Sequence, residues 1–433
     1  MKQAIALRGD LLDFTAAPSW GDTRSAAVRW RPDHWLLLRD GRIEGALPGQ
    51  QAPAPGYARE DHRGRLILPG FVDTHVHSPQ LDVIGSFGTA LLDWLETYTF
   101  PAERAWADPE VAAAGSARFL DALLAHGTTA AAVFPTVHKT SVDALFGAAH
   151  ARGMRLVAGK CLMDRNAPEG LRDTVAEAER DCTDLIERWH GRGRNAYAVT
   201  VRFAPTSTPA QLALAGALCA ADPTLYMQTH VAESEAEVRW VAELFPTARS
   251  YLGVYARAGL LHPRAILAHG IWLDDADRAA LRDTGAQIAH CPSSNLFLGS
   301  GLFDWHAGRH AGVAVSLATD VGGGTSLCQL RTLADAYKVQ ALRGERLTAW
   351  VALHAATRGP AEALQLGHEI GSLEAGAAAD LCVWDRAAGA VGAHRLALAR
   401  DLHEELFAWL TLADERCLES AWVAGVPRFR RSP

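Results

Sequence analysis

Eight short apolar runs, separated by longer amphipathic stretches, constrain this chain more than any other feature of its sequence. They fall at residues 66–72, 129–134, 155–161, 198–203, 225–230, 265–269, 286–290 and 313–319. Short runs that stay apolar, rather than alternating with polar residues, read as strands buried on both faces. The stretches between them include 109–125, 171–189, 211–220 and 275–283, which read as helices. Strands alternating with helices call for a parallel sheet covered on its outer face, and eight such units suggest a closed barrel. A barrel of this kind takes about 250 residues, so a chain of 433 has room for it and for something more.

The two ends have a different texture. The first sixty-odd residues are short apolar pieces broken by turn signals: 35–38 followed by Asp40-Gly41, then a Pro- and Gly-rich stretch over 48–56. The same texture returns late, in Gly371-Ser372-Leu373, Gly376, 379–384 and 420–426. We expect an α/β protein with a (β/α)8 barrel over 66–370. Residues 1–65 and 371–433 are expected to pair their terminal strands into one small β-domain.

Composition removes several classes of partner. The formal net charge is −7 and the pI about 6.2, so no basic field is available for a phosphate backbone. The one basic cluster, Arg428, Arg430 and Arg431, lies in the last six residues and reads as a solvated tail. Polymeric nucleic acid is therefore not an expected partner. No run of about 18 apolar residues is available to span a membrane, and Asp10 and Asp13 interrupt any signal-peptide core. Seven cysteines, an odd number with no C-x-x-C pair, fit reduced thiols in a cytoplasm better than a disulfide framework.

The chemistry gathers at the ends of the runs. In a strand, residues i and i+2 face the same way, so His75 and His77 can point into one cavity. Two neutral imidazoles on one rim are good zinc ligands. An isolated H-x-H says little; its weight here comes from company. His230 closes the fifth run, His269 closes the sixth and Asp320 follows the eighth. A barrel brings those strand ends to one face, so four histidines and a carboxylate converge on a single point. Ser234 and Glu237 form an S-x-x-E capping box, which predicts a helix starting just past Ser234. Glu233 then lies in the strand-to-helix turn on the same rim.

The segment Pro69-Gly70-Phe71-Val72-Asp73-Thr74-His75-Val76-His77, with His230, His269 and Thr319-Asp320, resembles the metal-dependent amidohydrolase superfamily. Further stretches are similar to the guanine deaminase family within it. These are Ser78-Pro79-Gln80, the run from Asp93 through Trp94 to Glu103, Val201-Arg202-Phe203 and His230-Val231-Ala232-Glu233. Ala268-His269-Gly270, His290-Cys291-Pro292-Ser293-Ser294-Asn295 and Thr319-Asp320-Val321-Gly322-Gly323 complete the set. The resemblance covers about residues 66 to 340.

This resemblance implies hydrolytic deamination of guanine, with guanine and water as substrates. It implies a zinc ion held by His75, His77, His230, His269 and Asp320. A zinc-bound water has its pKa lowered to about 7. Asp320 would orient the water and take its proton, His269 would steady the reacting centre, and Glu233 would shuttle protons to the ring and the leaving ammonia. Arg202 offers donors suited to O6 and N7, and Gln80 offers both a donor and an acceptor. Phe203 and Trp94 would supply apolar walls.

One zinc per chain is expected. Two-metal relatives bridge their ions with a modified lysine on the fourth strand, and 198–203 contains none. Lys160, which ends the third run, is expected to have a structural partner. The family also suggests a homodimer. The same frame could instead serve deamination or dechlorination of another purine, a pterin or a triazine.

Overall fold

The computed structural model describes residues 4–87 and 91–432. Strands Ala4–Phe14 (β1), Val28–Arg39 (β2), Arg42–Pro48 (β3) and Ala58–Pro69 (β4) come from the start of the chain. The barrel strands follow: Phe71–His77 (β5), Thr128–Phe134 (β6), Arg155–Ala158 (β7) with a two-residue continuation Cys161–Leu162 (β8), and Asn195–Val201 (β9). Tyr226–Val231 (β10), Ala265–His269 (β11), Gln287–His290 (β12) and Ala314–Leu317 (β13) complete it. Leu381–Trp384 (β14), Leu418–Val423 (β15) and Val426–Arg430 (β16) end the chain.

The terminal strands do pair with one another, in a seven-stranded sheet of order β16-β15-β14-β4-β1-β2-β3. Its β2–β3 hairpin turns on Asp40 and Gly41, at φ 53° and 79°. Both central residues have positive φ, the geometry that matches the twist of the flanking strands and favours Asp-Gly. β4 joins the two ends of the chain, lying parallel to β1 and antiparallel to β14.

The second sheet runs β5-β6-β7-β9-β10-β11-β12-β13 in sequence order, with β8 beside β9. Its pairs from β7 onward are parallel. β6, β9, β11 and β12 are buried at every residue, as expected of strands covered on both faces. Hydrogen bonds bring the last strand's end to the first: Asp320 N to His75 O (2.9 Å), His77 N to Val321 O (2.9 Å) and the Thr74 and Ser316 hydroxyls (2.8 Å). This is a nearly closed (β/α)8 barrel.

One expectation needs correction. The run 66–72 is not a single barrel strand: Leu66–Pro69 finishes β4 of the terminal sheet, and the barrel starts at Phe71. The run changes partners at Gly70, from β14 at Pro69 to the Gly127 carbonyl at Phe71, and a Cβ at Gly70 would collide with the Thr129 side chain. His75 and His77 consequently lie inside β5 and not beyond it. The helix expected over 171–189 begins instead at Val175, where Thr174 and Glu177 form a reciprocal capping box. The helices Pro109–Ala125, Pro209–Ala221 and Asp275–Thr284 occupy the anticipated stretches.

By compactness the chain forms two units, Met1–Asp73 with Asp121–Ala130 and Cys328–Pro433, and Thr74–Leu120 with Ala131–Leu327. The first has a core of Ile5, Leu7, Leu11, Leu36, Leu38, Ile67, Leu381, Val383 and Trp422. The second holds a cluster of Trp94, Phe100, Phe134, Cys161, Met163 and Leu171. The convergent histidines and all their partners described below belong to the second.

Candidate active site

His75 and His77 leave β5 on one side, His230 comes from β10, His269 ends β11 and Asp320 follows β13. The His77 Nε2 atom lies 3.2 Å from Nε2 of both His75 and His230. One oxygen of Asp320 is 3.2 Å from His75 Nε2 and 3.3 Å from His77 Nε2, and the other is 3.7 Å from His269 Nε2. Donor atoms of His75, His230, His269 and Asp320 all fall within 4.8 Å of one another. Ligands at 2.0–2.1 Å from a tetrahedral zinc ion stand about 3.3 Å apart. The closest pairs of the cluster, at 3.2–3.3 Å, have that spacing.

The ring tautomers agree. His230 Nδ1 donates to the Arg202 carbonyl (2.6 Å) and His269 Nδ1 to Asn295 Oδ1 (2.8 Å). Each acceptor places the proton on Nδ1 and leaves the Nε2 lone pair pointing inward, the usual outer support of a metal-binding imidazole. Burial pushes His77 down to about 3 and His230 well below the ordinary histidine range, so both stay neutral. Burial disfavours the Asp320 carboxylate, but the imidazoles around it hold its pKa well below the usual range. The Phe134 ring packs 4.8–4.9 Å from the rings of His75, His77 and His230. Neutral imidazoles and an ionised carboxylate in a dry nest fit a borderline divalent ion such as zinc.

Backbone conformation aims this chemistry. Of eight described non-glycine residues with positive φ, three are Ala232 (48°), His269 (70°) and Asp320 (50°). Such residues cost roughly 1–3 kcal/mol each and gather at functional sites. Ala232 turns the chain between His230 and Glu233, so both side chains reach one cavity. Ser234 caps the helix Glu235–Leu244, with its reciprocal bond to Glu237 in place. Glu233 is 3% exposed, stands 3.3 Å from His269 Nε2 and accepts a hydrogen bond from Ser300 (3.1 Å). Burial, with the Asp320 charge adding to it, pushes Glu233 up to about 8. A carboxyl in that state can hand over a proton near neutral pH.

His77, His230, Glu233, His269 and Asp320 face one cavity, also lined by Gln80, Trp94, Arg202 and Phe203. Of the residues read from the sequence as metal, catalytic or substrate residues, all line it except His75, whose Nε2 lies 3.2 Å from that of His77. Two of these side chains are already engaged within the protein. Arg202 is not a free cation: its Nη1 donates to Glu103 Oε2 at 2.5 Å, with both side chains buried. Burial opposes the guanidinium, yet Glu103 raises its pKa further. Gln80 has one acceptor bond already made, from Gly322 N (3.1 Å), and its Nε2 reaches Glu103 Oε1 (3.3 Å). Gly322 has no room for a side chain, since a Cβ would sit 2.5 Å from the Gln80 carbonyl oxygen.

Sequence reasoning missed Glu103, Ser300, Asn295 and the pair Tyr251 and Tyr255. Glu103 stands at the end of a stretch quoted for its likeness, which was its only signal. Tyr251 donates to Glu237 (2.6 Å), whose other oxygen accepts from the Glu233 backbone (2.9 Å). Tyr255 donates to the His230 carbonyl (2.7 Å) and accepts from Ala204 N (2.9 Å). A spacing of four residues puts both tyrosines on one helix face, but nothing local says what they hold. Lys160 is buried against Asp173.

The description "Amidohydrolase family" matches residues 66–427. Guanine deaminase of Escherichia coli is 42% identical over 99% of this chain and 98% of its own length. Its solved structure superposes with a TM-score of 0.96 over 99% of this chain and 100% of the other. A probable guanine deaminase of Deinococcus radiodurans is 40% identical over 92% of each chain. A guanine deaminase from C. acetobutylicum, solved with guanine bound in its active site, is 26% identical, with a TM-score of 0.88 over 99% of this chain and 100% of that one. Barrel, histidine–aspartate nest and near full-length likeness agree: the chain belongs to the amidohydrolase family, among its guanine deaminases.

Proposed function

We propose that this chain hydrolyses guanine to xanthine and ammonia. The observation that carries the reading is one cavity holding both the ligand nest with Glu233 and the donor-bearing wall of Arg202 and Gln80. The near full-length likeness to guanine deaminases supports it, as does guanine bound in the C. acetobutylicum relative.

His75, His77, His230, His269 and Asp320 would hold one zinc ion per chain. When bound, that ion supplies an ionised water at neutral pH. Arg202 donates to the O6 acceptor, Gln80 borders the opposite ring edge, and Phe203 and Trp94 close over the ring. Water adds across the C2–N3 bond: its oxygen joins C2, Asp320 takes one of its protons and Glu233 gives a proton to N3. The C2 amino group then receives the proton held by Asp320 and leaves as ammonia. The hydroxyl left on C2 returns its proton to Glu233 as the carbonyl of xanthine forms. Atoms balance, and Glu233 and Asp320 regain their starting states.

The test is ammonia release from guanine, adenine, cytosine, a pterin and a triazine by zinc-loaded protein. Adenine carries an amino donor where guanine carries O6, and it would face a guanidinium that has only donors. Sites that lose such a partner discriminate by up to about 10⁴–10⁵-fold. Guanine should turn over rapidly and adenine and cytosine not at all. A preference for adenine, or for the pterin or triazine, would overturn the substrate assignment and leave the metal-hydrolase reading in place.

We further propose a homodimer in the cytoplasm, with the hydrolase barrel running from Phe71 to about residue 370 and the small β-domain built from the strands up to Pro69 and from 371–433. The seven described cysteines are all buried and none is in a disulfide, which suits a reducing compartment. No described helix is long and apolar enough to cross a membrane.

A further inference from the structure

We infer that Glu103 is a positioning residue for substrate selection: it holds the Arg202 and Gln80 side chains so that their remaining donors face the ring. The inference rests on the reading of Arg202 as the partner of O6. Glu103 lies on the one-and-a-half-turn helix Phe100–Ala105 and is 0% exposed. It does not line the cavity, whereas both of its partners do. One carboxylate oxygen takes Arg202 Nη1 at 2.5 Å and the other takes Gln80 Nε2 at 3.3 Å. The same helix supplies Phe100, whose ring centroid is 5.3 Å from Arg202 Cζ. The guanidinium is therefore held at its edge by a carboxylate and on its face by a ring.

Two consequences follow for selection. A buried guanidinium needs an anion, and Glu103 provides one from behind the wall, so a ligand has no need to. The wall then accepts a neutral ring bearing an acceptor. Gln80, with its oxygen engaged by Gly322 N and its nitrogen by Glu103, has its amide orientation set by both ends. Its Nε2 keeps a second hydrogen, and Arg202 keeps further N–H groups, for the ligand. A charged hydrogen bond aimed this way is available only while the carboxylate keeps the fork in place.

The test compares guanine with 2-aminopurine, which has hydrogen in place of O6 and an unprotonated N1, on the zinc-loaded full chain. Glu103→Gln keeps the size of the side chain and removes the charge. It should lower kcat/KM for guanine by about 100-fold, the range of a lost charged hydrogen bond. The Ki of 2-aminopurine should change by no more than about twofold, with zinc content retained, while Tm falls because the buried guanidinium loses its anion. A parallel loss for both ligands would make Glu103 merely structural and overturn the inference. Arg202→Ala is the control. If Arg202→Ala erases discrimination and Glu103→Gln does not, the inference falls and the reading of Arg202 stands. If neither erases it, both fall. Should Glu103→Gln fail to fold, Glu103→Asp keeps the charge and withdraws the carboxylate by one methylene. It should lose discrimination by about 10-fold, and an unchanged ratio would refute the proposal.

Discussion

Tyr255→Phe removes a single oxygen, and its effect can be worked out from three hydrogen bonds. The Tyr255 hydroxyl donates to the His230 carbonyl (2.7 Å) and accepts from Ala204 N and from the Thr229 hydroxyl, both at 2.9 Å. It thus stands between the backbone just past β9 and that of β10, where Arg202 and Phe203 turn away from His230. Removing it strands one backbone N–H and weakens the pairing of one carbonyl, all in buried surroundings. The Thr229 hydroxyl keeps a longer contact to His230 O at 3.4 Å. A stranded buried group costs about 1–3 kcal/mol; the Ala204 N–H is the one group stranded, so about 2 kcal/mol is the expected loss. That is a large share of the roughly 5–15 kcal/mol of net stability usual for a folded protein. Phe fills the same volume, so no cavity contributes. The assay is urea unfolding of zinc-loaded wild type and variant, read by fluorescence and by activity. The activity midpoint should move first, because the broken bridge carries both His230 and the Phe203–Ala204 backbone. A variant within about 1 kcal/mol of wild type with unchanged guanine kinetics would refute this account of the bridge.

Purified protein should hold about one zinc ion per chain, and chelation or Asp320→Ala should abolish ammonia release while the far-UV spectrum is kept; activity that tracks a second equivalent would refute the one-metal site. Glu233→Gln preserves shape but carries no proton, so kcat should fall by at least about 10²-fold with zinc content and substrate binding retained. Near-normal turnover would move the proton shuttle elsewhere. Gly322→Ala forces a methyl to 2.5 Å from the Gln80 carbonyl oxygen, so KM for guanine should rise with zinc content unchanged, and an unaltered KM would mean that Gln80 does not bind the ring.

Much of the fold was legible because burial on both faces is written locally. A strand such as β11, buried at all five residues, can be read from Ala265–His269 alone. The candidate ligands were legible for a related reason: His230, His269 and Asp320 each sit at the end of such a run, and barrel closure sends every run's end to one rim. Glu233 was placed by Ser234 and Glu237, three residues apart. The break at Gly70 was not legible. Leu66–Pro69 and Phe71-Val72 are both apolar, and what separates them is a change of partner: Pro69 pairs with Leu381, whereas the Phe71 N–H bonds the Gly127 carbonyl.

What the sequence by itself determined is the order of strands and helices, the pairing of the chain's two ends in one sheet, and the kinds of side chain that reach the rim. Only the tertiary structure decided which atoms meet there. Arg202 and Glu103 are 99 residues apart, Glu233 and Ser300 are 67 apart, and His269 and Asn295 are 26 apart. No local period links such residues. Periodicity reports which face of an element is buried, whereas a hydrogen bond needs two atoms brought to within about 3 Å in a set direction. That distance is settled by how eight strands tilt and close, and it named Glu103 as the partner of Arg202.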